Sequence, residues 1–335
     1  MKKKVLITGG SGLLAVNWAL SIRDEYEVTL LLHQRKIYLK GVKTDIANIS
    51  SLDECKAVLD RHKPDVVIHT AGLTSVEKCE ENPNLAQEVN VDLAKNIAIA
   101  CDKQNVKLVH ISTDHLFSGE GSFVTEESNA TPINNYAKTK LEGEQQVQEN
   151  CKDVLIIRTN FFGWGAKYRQ SFSDFIINKL RNNESIDLFS DVSFTTILAE
   201  ELSKKTHQLV DANLSGVFNI VGSERLSKYE FGIKLANCFD LNTDLVNEIS
   251  IKDKPNLVKR PKDMSLSNKK ICKILNCTIP SIDEQFQTLK QQESDSAINQ
   301  VTTDIIPYGK HYIDEDDIQS VVDVLRHGML TQGPK

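Results

Sequence analysis

Short apolar runs alternate along the chain with stretches that have helical spacing. The apolar runs lie at residues 5–7, 28–32, 65–69, 107–111 and 153–157. The helical patterns between them cover residues 13–22, 51–62, 84–103 and 135–149. Because strands that alternate with helices form a parallel sheet with helices on both faces, this pattern predicts a doubly wound α/β fold.

The pattern changes after the last of these runs, where strands and helices no longer alternate regularly. Helical spacing returns at residues 173–181 and 226–239, and a strand is predicted at residues 216–221. We expect residues 1–165 to form the sheet domain, which the strand at 216–221 rejoins. Residues 166–290 are expected to form mainly a smaller lobe that binds substrate.

The composition changes again at Gln291. The segment QQESDSAINQ is polar and has no regular period, which predicts a linker over residues 291–304. After it, residues 305–335 contain a helical pattern at 314–326 and are interpreted as the start of a second module. On this interpretation, removing residues 291–335 leaves the preceding fold intact.

Composition and charge exclude several classes of protein. The chain of 335 residues is 40% hydrophobic and 26% charged, as globular proteins are, and it has no 18-residue apolar segment that could span a membrane. The run after MKKK is too short for a signal peptide, so a cytoplasmic protein is expected. The seven cysteines form no C-x-x-C motif, and no metal site is predicted. The net charge of −6 argues against nucleic-acid binding.

Glycines mark the junction between the first strand and the first helix, in the sequence ITGGSGLLA. Gly10, Gly12 and Ala15 match the spacing of the dinucleotide-binding turn of Rossmann-type folds. Glycine lets the backbone N–H groups approach a pyrophosphate, and the start of the helix favours its negative charge. The residues predicted to bind the cofactor at this turn are Gly9, Gly10, Ser11, Gly12, Leu13 and Leu14.

The end of the second strand indicates which dinucleotide binds. NAD-selective sites usually place an acidic residue here to hold the ribose hydroxyls, and this chain has none there. His33, Arg35 and Lys36 offer hydrogen-bond donors and positive charge instead, which favours the 2′-phosphate of NADPH, with NADH as the alternative. Asp45 and Ile46, after the next short strand, are predicted to flank the adenine.

Tyr136 and Lys140 are four residues apart, so both lie on one face of a predicted helix. Thr113 follows the strand at 107–111, at the sheet edge where ligands of α/β folds bind. Reduction of a ketone requires a proton as well as a hydride, and an ammonium group beside a tyrosine lowers the pKa of the phenol. The three side chains therefore predict a ketone-reducing site in which Thr113 orients the carbonyl oxygen.

Seven motifs together resemble the extended short-chain dehydrogenase/reductase superfamily, and within it the dTDP-4-dehydrorhamnose reductase family. They are ITGGSGLLA, HTAGLTSVEKCEENPNLAQEVNV, ISTDHLFSGEG, PINNYAKTKLEGE, IIRTNFFGWG, VFNIVGSERLSKYEFG and RPKDMSLSNKKI. The resemblance implies NADPH-dependent reduction of a 4-keto, 6-deoxy sugar nucleotide in cell-surface polysaccharide synthesis. It assigns catalysis to Thr113, Tyr136 and Lys140, the last two also contacting the cofactor. It further assigns Thr70, Ala71, Gly72 and Asn90 to the cofactor, and Thr74, His115, Phe161, Phe162 and Arg260 to the substrate.

Two positions depart from the pattern of these reductases. His115 stands where many of them have tyrosine, and Asn160-Phe161 replaces Ser-Trp, so the identity of the sugar stays open. A sugar-nucleotide epimerase or dehydratase of the same superfamily is an alternative, although the glutamate of the dehydratase Thr-Asp-Glu motif is absent after Asp114. A non-catalytic NADP-binding regulatory subunit, like that of methionine adenosyltransferase, is a further alternative.

Residues 305–335 resemble the start of a PLP-dependent sugar-nucleotide aminotransferase of fold type I. The resemblance implies that a reductase is fused to a second enzyme, whose Schiff-base lysine would lie further downstream. The alternative is a helical dimerisation tail. The partners considered are therefore a sugar-nucleotide substrate, a second copy in a homodimer, and a fused aminotransferase module in a longer chain.

Overall fold

The predicted apolar runs lie in one seven-stranded parallel sheet. The computed structural model describes residues 2–294 and 301–302. Within these ranges the strands are β1 (Lys4–Thr8), β2 (Glu27–Leu32), β3 (Lys43–Ile46), β4 (Val66–His69), β5 (Lys107–Ile111), β6 (Val154–Arg158), β7 (Phe161–Phe162), β8 (Ile186–Phe189), β9 (Ser193–Phe194), β10 (Ile197–Leu198), β11 (Gly216–Asn219), β12 (Leu226–Ser227), β13 (Val246–Ile249) and β14 (Asp263–Met264). The large sheet has the order β11-β6-β5-β4-β1-β2-β3.

Helices cover both faces of this sheet, as predicted. They are α1 (Leu13–Ile22), α2 (Leu52–His62), α3 (Val76–Glu81), α4 (Pro83–Gln87), α5 (Leu93–Gln104), α6 (Asn135–Asn150), α7 (Phe172–Arg181), α8 (Ala199–Asp211), α9 (Lys228–Cys238), α10 (Lys269–Leu275) and α11 (Ile282–Ser294). Helices α1 and α8 pack on one face, and α2, α5 and α6 pack on the other. None of the helices within the described ranges is long and apolar enough to cross a membrane.

The central strands β4, β5 and β6 and most of β1 and β2 are buried on both faces, so their sequences are mainly apolar, whereas the edge strand β3 is polar and mostly exposed. In β1, Val5 and Ile7 pack toward α1, whereas Leu6 packs toward α2 and α5. Helix α1 is also fixed to α8 by a polar contact, in which Trp18 Nε1 donates to His207 Nε2 at 3.1 Å. A continuous apolar run is therefore the expected sequence of each central strand.

A second hydrophobic core lies in the smaller lobe, which is built from α7, α9, α11 and the short strands β8, β9 and β12–β14. Its largest fully buried side chains include Phe194, Phe231 and Phe286. The chain returns to the sheet at β11, which lies within the strand expected at residues 216–221. Helix α8 also packs on the sheet domain, which the sequence did not indicate, so the lobe is interrupted before β11 as well.

The predicted linker at residues 291–304 also differs from the structure. Helix α11 continues to Ser294, and Glu293 forms an ion pair with Arg181 at 2.6 Å. Val301 is buried in the core of the sheet domain. The backbone of Thr302 exchanges hydrogen bonds of 2.8 and 3.1 Å with Tyr38. These residues therefore belong to the fold, while the predicted aminotransferase-like segment lies outside the described residues.

Candidate active site

The glycine turn lies at the carboxyl end of β1 and opens onto a cleft of about 470 Å³. Gly9 has a φ of +66°, and a Cβ atom on it would lie 2.9 Å from the backbone of Ala71. The amide of Gly12 donates to the carbonyl of Gly9 at 2.7 Å, which closes the turn. Gly12 then caps α1 without a side-chain hydrogen bond, so the first amides of the helix stay available to a ligand.

The loop after β4 forms the opposite wall of the cleft. Thr70 Oγ1 donates to the carbonyl of Thr8 at 2.7 Å and joins the ends of β4 and β1. The side-chain amide of Asn90 bonds both backbone groups of Leu73, at 2.8 and 3.1 Å, and also Thr139 on α6 at 3.1 Å. Asn90 lies in a π-helical turn at Glu88–Asp92, and it acts by holding this loop on α6.

Thr113, Tyr136 and Lys140 meet in the same cleft and are all buried. Helix α6 starts at Asn135, because the side chain of Asn134 caps it by accepting from the amide of Ala137 at 2.8 Å. The two helical residues lie one turn apart and face Thr113, which follows β5. The sequence-predicted catalytic residues are therefore brought together at one point of the sheet edge.

The electrostatics of these groups differ from the sequence prediction. Burial raises the pKa of the Tyr136 phenol, and the hydrogen bond with Thr113 opposes this only in part. Burial also lowers the pKa of Lys140 to about 8, while its ammonium donates to the carbonyl of Ile111 at 2.7 Å. Desolvation therefore has a larger effect on the pKa of the Tyr136 phenol than the charge of Lys140 has. The phenol stays protonated at neutral pH.

The predicted substrate residues divide into two groups. Thr74, His115 and Phe161 line the cleft. Phe162 points into the lobe core instead, with its ring 5.5 Å from that of Phe231 and 5.4 Å from that of Phe286.

Arg260 is not among the residues that line the main cleft. Its guanidinium forms an ion pair with Glu77, and its Nε donates to the carbonyl of Val258 at 3.2 Å. It lines a separate hollow of about 510 Å³ together with Lys254, Lys259 and other residues. The role of Arg260 in substrate binding therefore stays a prediction.

A second cavity of about 350 Å³ lies beyond the glycine turn, where the adenine was predicted. His33 lines this cavity as predicted, but Asp45 and Ile46 do not. The carboxylate of Asp45 contacts Arg61 at 2.5 Å and His62 at 2.7 Å, and the side chain of Ile46 is exposed. The residues that line this part of the cavity come directly after β3 and are Ala47, Asn48, Ile49 and Ser50.

Arg35 is oriented by an aromatic residue that the sequence did not reveal. Its guanidinium lies 4.5 Å from the ring centroid of Tyr168. The hydroxyl of Tyr168 donates to the carbonyl of Ser11 in the glycine turn at 3.1 Å. The contact thus ties the cation after β2 to the turn, although the two lie far apart in the sequence.

Other polar residues at the cleft had no predicted contact with a ligand. Asp114, Asn160 and Arg169 line it; the sequence marked Asn160 only as a departure from the reductase pattern, and no motif spacing distinguishes Asp114 or Arg169 as ligands. Lys228, at the start of α9, is mostly buried, with Nζ 3.3 Å from the ring centroid of Phe194. Burial lowers its pKa to about 8, opposed by the nearby charge of Asp114. Lys228 is thus a cation on the lobe side of the site. The sequence predicted a helix at this position and no functional residue in it.

The sheet order, the glycine turn and the buried threonine, tyrosine and lysine define an oxidoreductase of the extended short-chain dehydrogenase/reductase class. The chain belongs to the RmlD substrate-binding domain family, whose model matches residues 3–294.

The similar proteins include two reductases and a subunit of another enzyme. A probable low-salt glycan biosynthesis reductase, Agl14 of Haloferax volcanii, is 26% identical over 294 residues, covering 86% of this chain and 98% of the relative. Methionine adenosyltransferase 2 subunit beta of Pongo abelii is 26% identical over 281 residues, covering 80% of this chain and 81% of the relative. The crystal structure of dTDP-4-dehydrorhamnose reductase from Bacillus anthracis in complex with NADP superposes with a TM-score of 0.77. It is 25% identical and covers 87% of this chain and all of that chain.

Proposed function

We propose that the chain reduces the 4-keto group of a nucleotide-linked 6-deoxy sugar with NADPH, as a step in glycan synthesis. The observation that carries the proposal is the meeting of Thr113, Tyr136 and Lys140 in the cleft that the glycine turn opens onto. The reductases among the relatives support the same class of substrate.

The residues of the cleft fit a dinucleotide. Glycines leave the backbone at the turn open, the start of α1 has uncapped amides, and the cleft is followed by the cavity near His33. Arg35, held over Tyr168, supplies a cation for a 2′-phosphate. NADPH, when bound there, would supply the hydride that the reduction requires.

Tyr136 then acts as the acid. Because burial keeps its phenol protonated, it can give a proton to the carbonyl oxygen as that oxygen gains negative charge. The hydroxyl of Thr113 donates to Asp114 Oδ1 at 3.2 Å in the structure, and by rotating it can donate a hydrogen bond to the same oxygen instead. Lys140, with a pKa of about 8, carries a positive charge at neutral pH that stabilises the phenolate left behind.

The test is NADPH oxidation, followed by absorbance, against a panel of 4-keto-6-deoxy sugars linked to dTDP, UDP, GDP or CDP. We expect turnover with at least one member, and identification of the product by NMR gives its stereochemistry. Substituting Arg35→Ser should raise the KM for NADPH about tenfold and change that for NADH little, because only the phosphate contact is lost. Lys40→Ser, at an exposed lysine nearby, is the matched control.

A regulatory role is the second candidate, because the beta subunit of methionine adenosyltransferase 2 is among the relatives. The two functions give opposite results in the same assay. A regulatory subunit would bind NADPH and consume none with any member of the panel, and that result would replace the reductase proposal.

A further inference from the structure

Asp114 is a buried carboxylate at the edge of the cleft, and its side chain is 2% exposed. Its Oδ1 accepts from His115 Nδ1 at 2.8 Å and from the Thr113 hydroxyl at 3.2 Å. Its Oδ2 accepts from the side-chain amide of Asn160 at 2.7 Å. Both oxygens thus accept from protein donors, so the carboxylate organises its neighbours.

The two partners on either side of this carboxylate, His115 and Asn160, both belong to positions at which the chain departs from the reductase pattern. His115 follows β5, and Asn160 follows β6, the neighbouring strand of the sheet. His115 and Asn160 bond different oxygens of Asp114, so replacing either one changes how firmly the carboxylate is held for the other. His115, Asp114 and Asn160 therefore form one unit, which we call the Asp114 unit.

The imidazole of His115 is oriented by this unit. Its backbone amide donates to Thr113 Oγ1 at 3.2 Å, and its ring lies edge-on to that of Tyr136, with centroids 5.5 Å apart. In the tautomer that has its proton on Nδ1, which a carboxylate at that nitrogen favours, Nε2 is a hydrogen-bond acceptor. Nε2 makes no hydrogen bond to any described residue, and the side chain is 17% exposed where it lines the cleft.

We propose that His115 Nε2 accepts a hydrogen bond from the hydroxyl on the carbon next to the ketone. Asp114 and Asn160 are positioning residues that fix the imidazole for this contact. The inference rests on the proposed function, which places the ketone at Thr113 and Tyr136, beside His115. In a 4-keto-6-deoxy sugar, C5 carries the methyl group, so the recognised hydroxyl is that on C3. The Asp114 unit would thereby select the sugar and its orientation relative to the hydride donor.

Three substitutions of His115 distinguish the roles of its two ring nitrogens. Gln places an amide near the position of Nε2, Asn places one near Nδ1, and Phe keeps a ring with neither. The measurement is the ratio of kcat/KM for a 4-keto-6-deoxy sugar nucleotide with a C3 hydroxyl to that for its 3-deoxy counterpart. We expect a ratio of about tenfold or more in the unaltered enzyme, retained in part by His115→Gln. The ratio should fall close to one in His115→Asn and His115→Phe.

Two further measurements do not depend on turnover. The affinities of the NADP⁺-loaded protein for dTDP-6-deoxyglucose and dTDP-3,6-dideoxyglucose should show the same preference and the same pattern among the variants. Nitrogen NMR of labelled histidine should show Nδ1 of His115 protonated, and Asp114→Asn should change that tautomer. Asn160→Ser should reduce the preference, and adding His115→Phe to it should have less effect than His115→Phe alone.

The outcomes distinguish this inference from the proposed function. A lack of turnover with every 4-keto sugar nucleotide overturns the proposed function, while binding preference and the tautomer still decide the role of His115. An equal preference for the two ligands in the unaltered protein and in His115→Phe overturns the inference. So does an imidazole whose Nδ1 carries no proton, or full independence of His115 and Asn160.

Discussion

Removing the hydroxyl of Tyr136 should stop catalysis with little effect on folding or cofactor binding. The phenol is buried and protonated, and only its hydroxyl distinguishes it from phenylalanine. We expect Tyr136→Phe to lower kcat by about 10²- to 10⁴-fold, because a positioned proton donor is lost. Binding of NADPH, measured by fluorescence, should persist. A variant that turns over at the rate of the unaltered protein would remove Tyr136 from the mechanism.

Lys140 places a positive charge where burial disfavours it, and this has a measurable effect on stability. Its pKa of about 8 in the fold lies below the value of about 10.4 in an unfolded chain. The unfolded state therefore binds more protons between these values, and the free energy of unfolding rises as pH rises through this window.

Replacing Lys140 with Met should consequently stabilise the ligand-free protein at pH 7. We expect a gain of about 2 kcal/mol, after allowing for the Ile111 carbonyl that loses its donor. The gain should shrink by about 1 kcal/mol between pH 7 and pH 9, in urea unfolding at both values. Lys138→Met, at an exposed position on the same helix, is the control. A gain that does not change with pH would mean that the lysine is not desolvated.

At the scale of elements, α6 and the π-helical turn at Glu88–Asp92 approach unusually closely. A Cβ atom on Gly143 would lie 2.4 Å from the carbonyl oxygen of Asn90, so the helix and the turn depend on glycine here. Asn90 in turn holds the loop that forms one wall of the cleft. The spacing of these elements is therefore coupled to the site.

We expect Gly143→Ala to destabilise the protein by about 1–3 kcal/mol, because α6 has to move away from the turn. The same substitution should also lower kcat/KM for the sugar nucleotide, since both Tyr136 and the Asn90 loop shift. Gly121→Ala is the control, as no atom lies within 4 Å of the Cβ position there. Similar melting temperatures for the two variants would show that α6 and the π-helical turn can move apart at little cost in stability.

At the scale of the whole molecule, the folded part extends past residue 290, where the polar composition predicted that a linker begins. A chain ending at residue 290 loses the Arg181–Glu293 ion pair and the buried Val301, whereas one ending at 302 keeps both. We expect the shorter chain to be less stable by about 2–3 kcal/mol, mainly through the loss of buried apolar surface. Thermal and urea unfolding of the two chains provide the comparison. Val301→Ala in the full chain should reproduce part of the difference, and equal stability of the two chains would contradict the packing.

Much of the fold could be predicted because it depends on local patterns. Apolar runs identify strands that are buried on both faces, and glycine spacing identifies the turn. The sequence could not predict contacts that no local pattern encodes. Arg260 pairs with Glu77, which is 183 residues away, and Asp45 pairs with Arg61 and His62 on the neighbouring helix.

Phe161 and Phe162 illustrate a different limit. They form the two-residue strand β7, in which successive side chains point to opposite sides, so only one can face the cleft. The sequence contains two adjacent phenylalanines and nothing that indicates which one faces the ligand. The raised pKa of Tyr136 was missed for a similar reason, because burial depends on the packed structure.

The order of the strands in the sheet differs from the order in which a ribosome makes them. Strand β1 is made first and lies inside the sheet, between β2 and β4, whereas β11 is made last and closes the edge beside β6. Until residues 216–219 have been synthesised, β6 presents an unpaired row of N–H and C=O groups. Nascent chains that pause after β6 and before β11 are therefore the form of this protein most exposed to strand pairing with another chain.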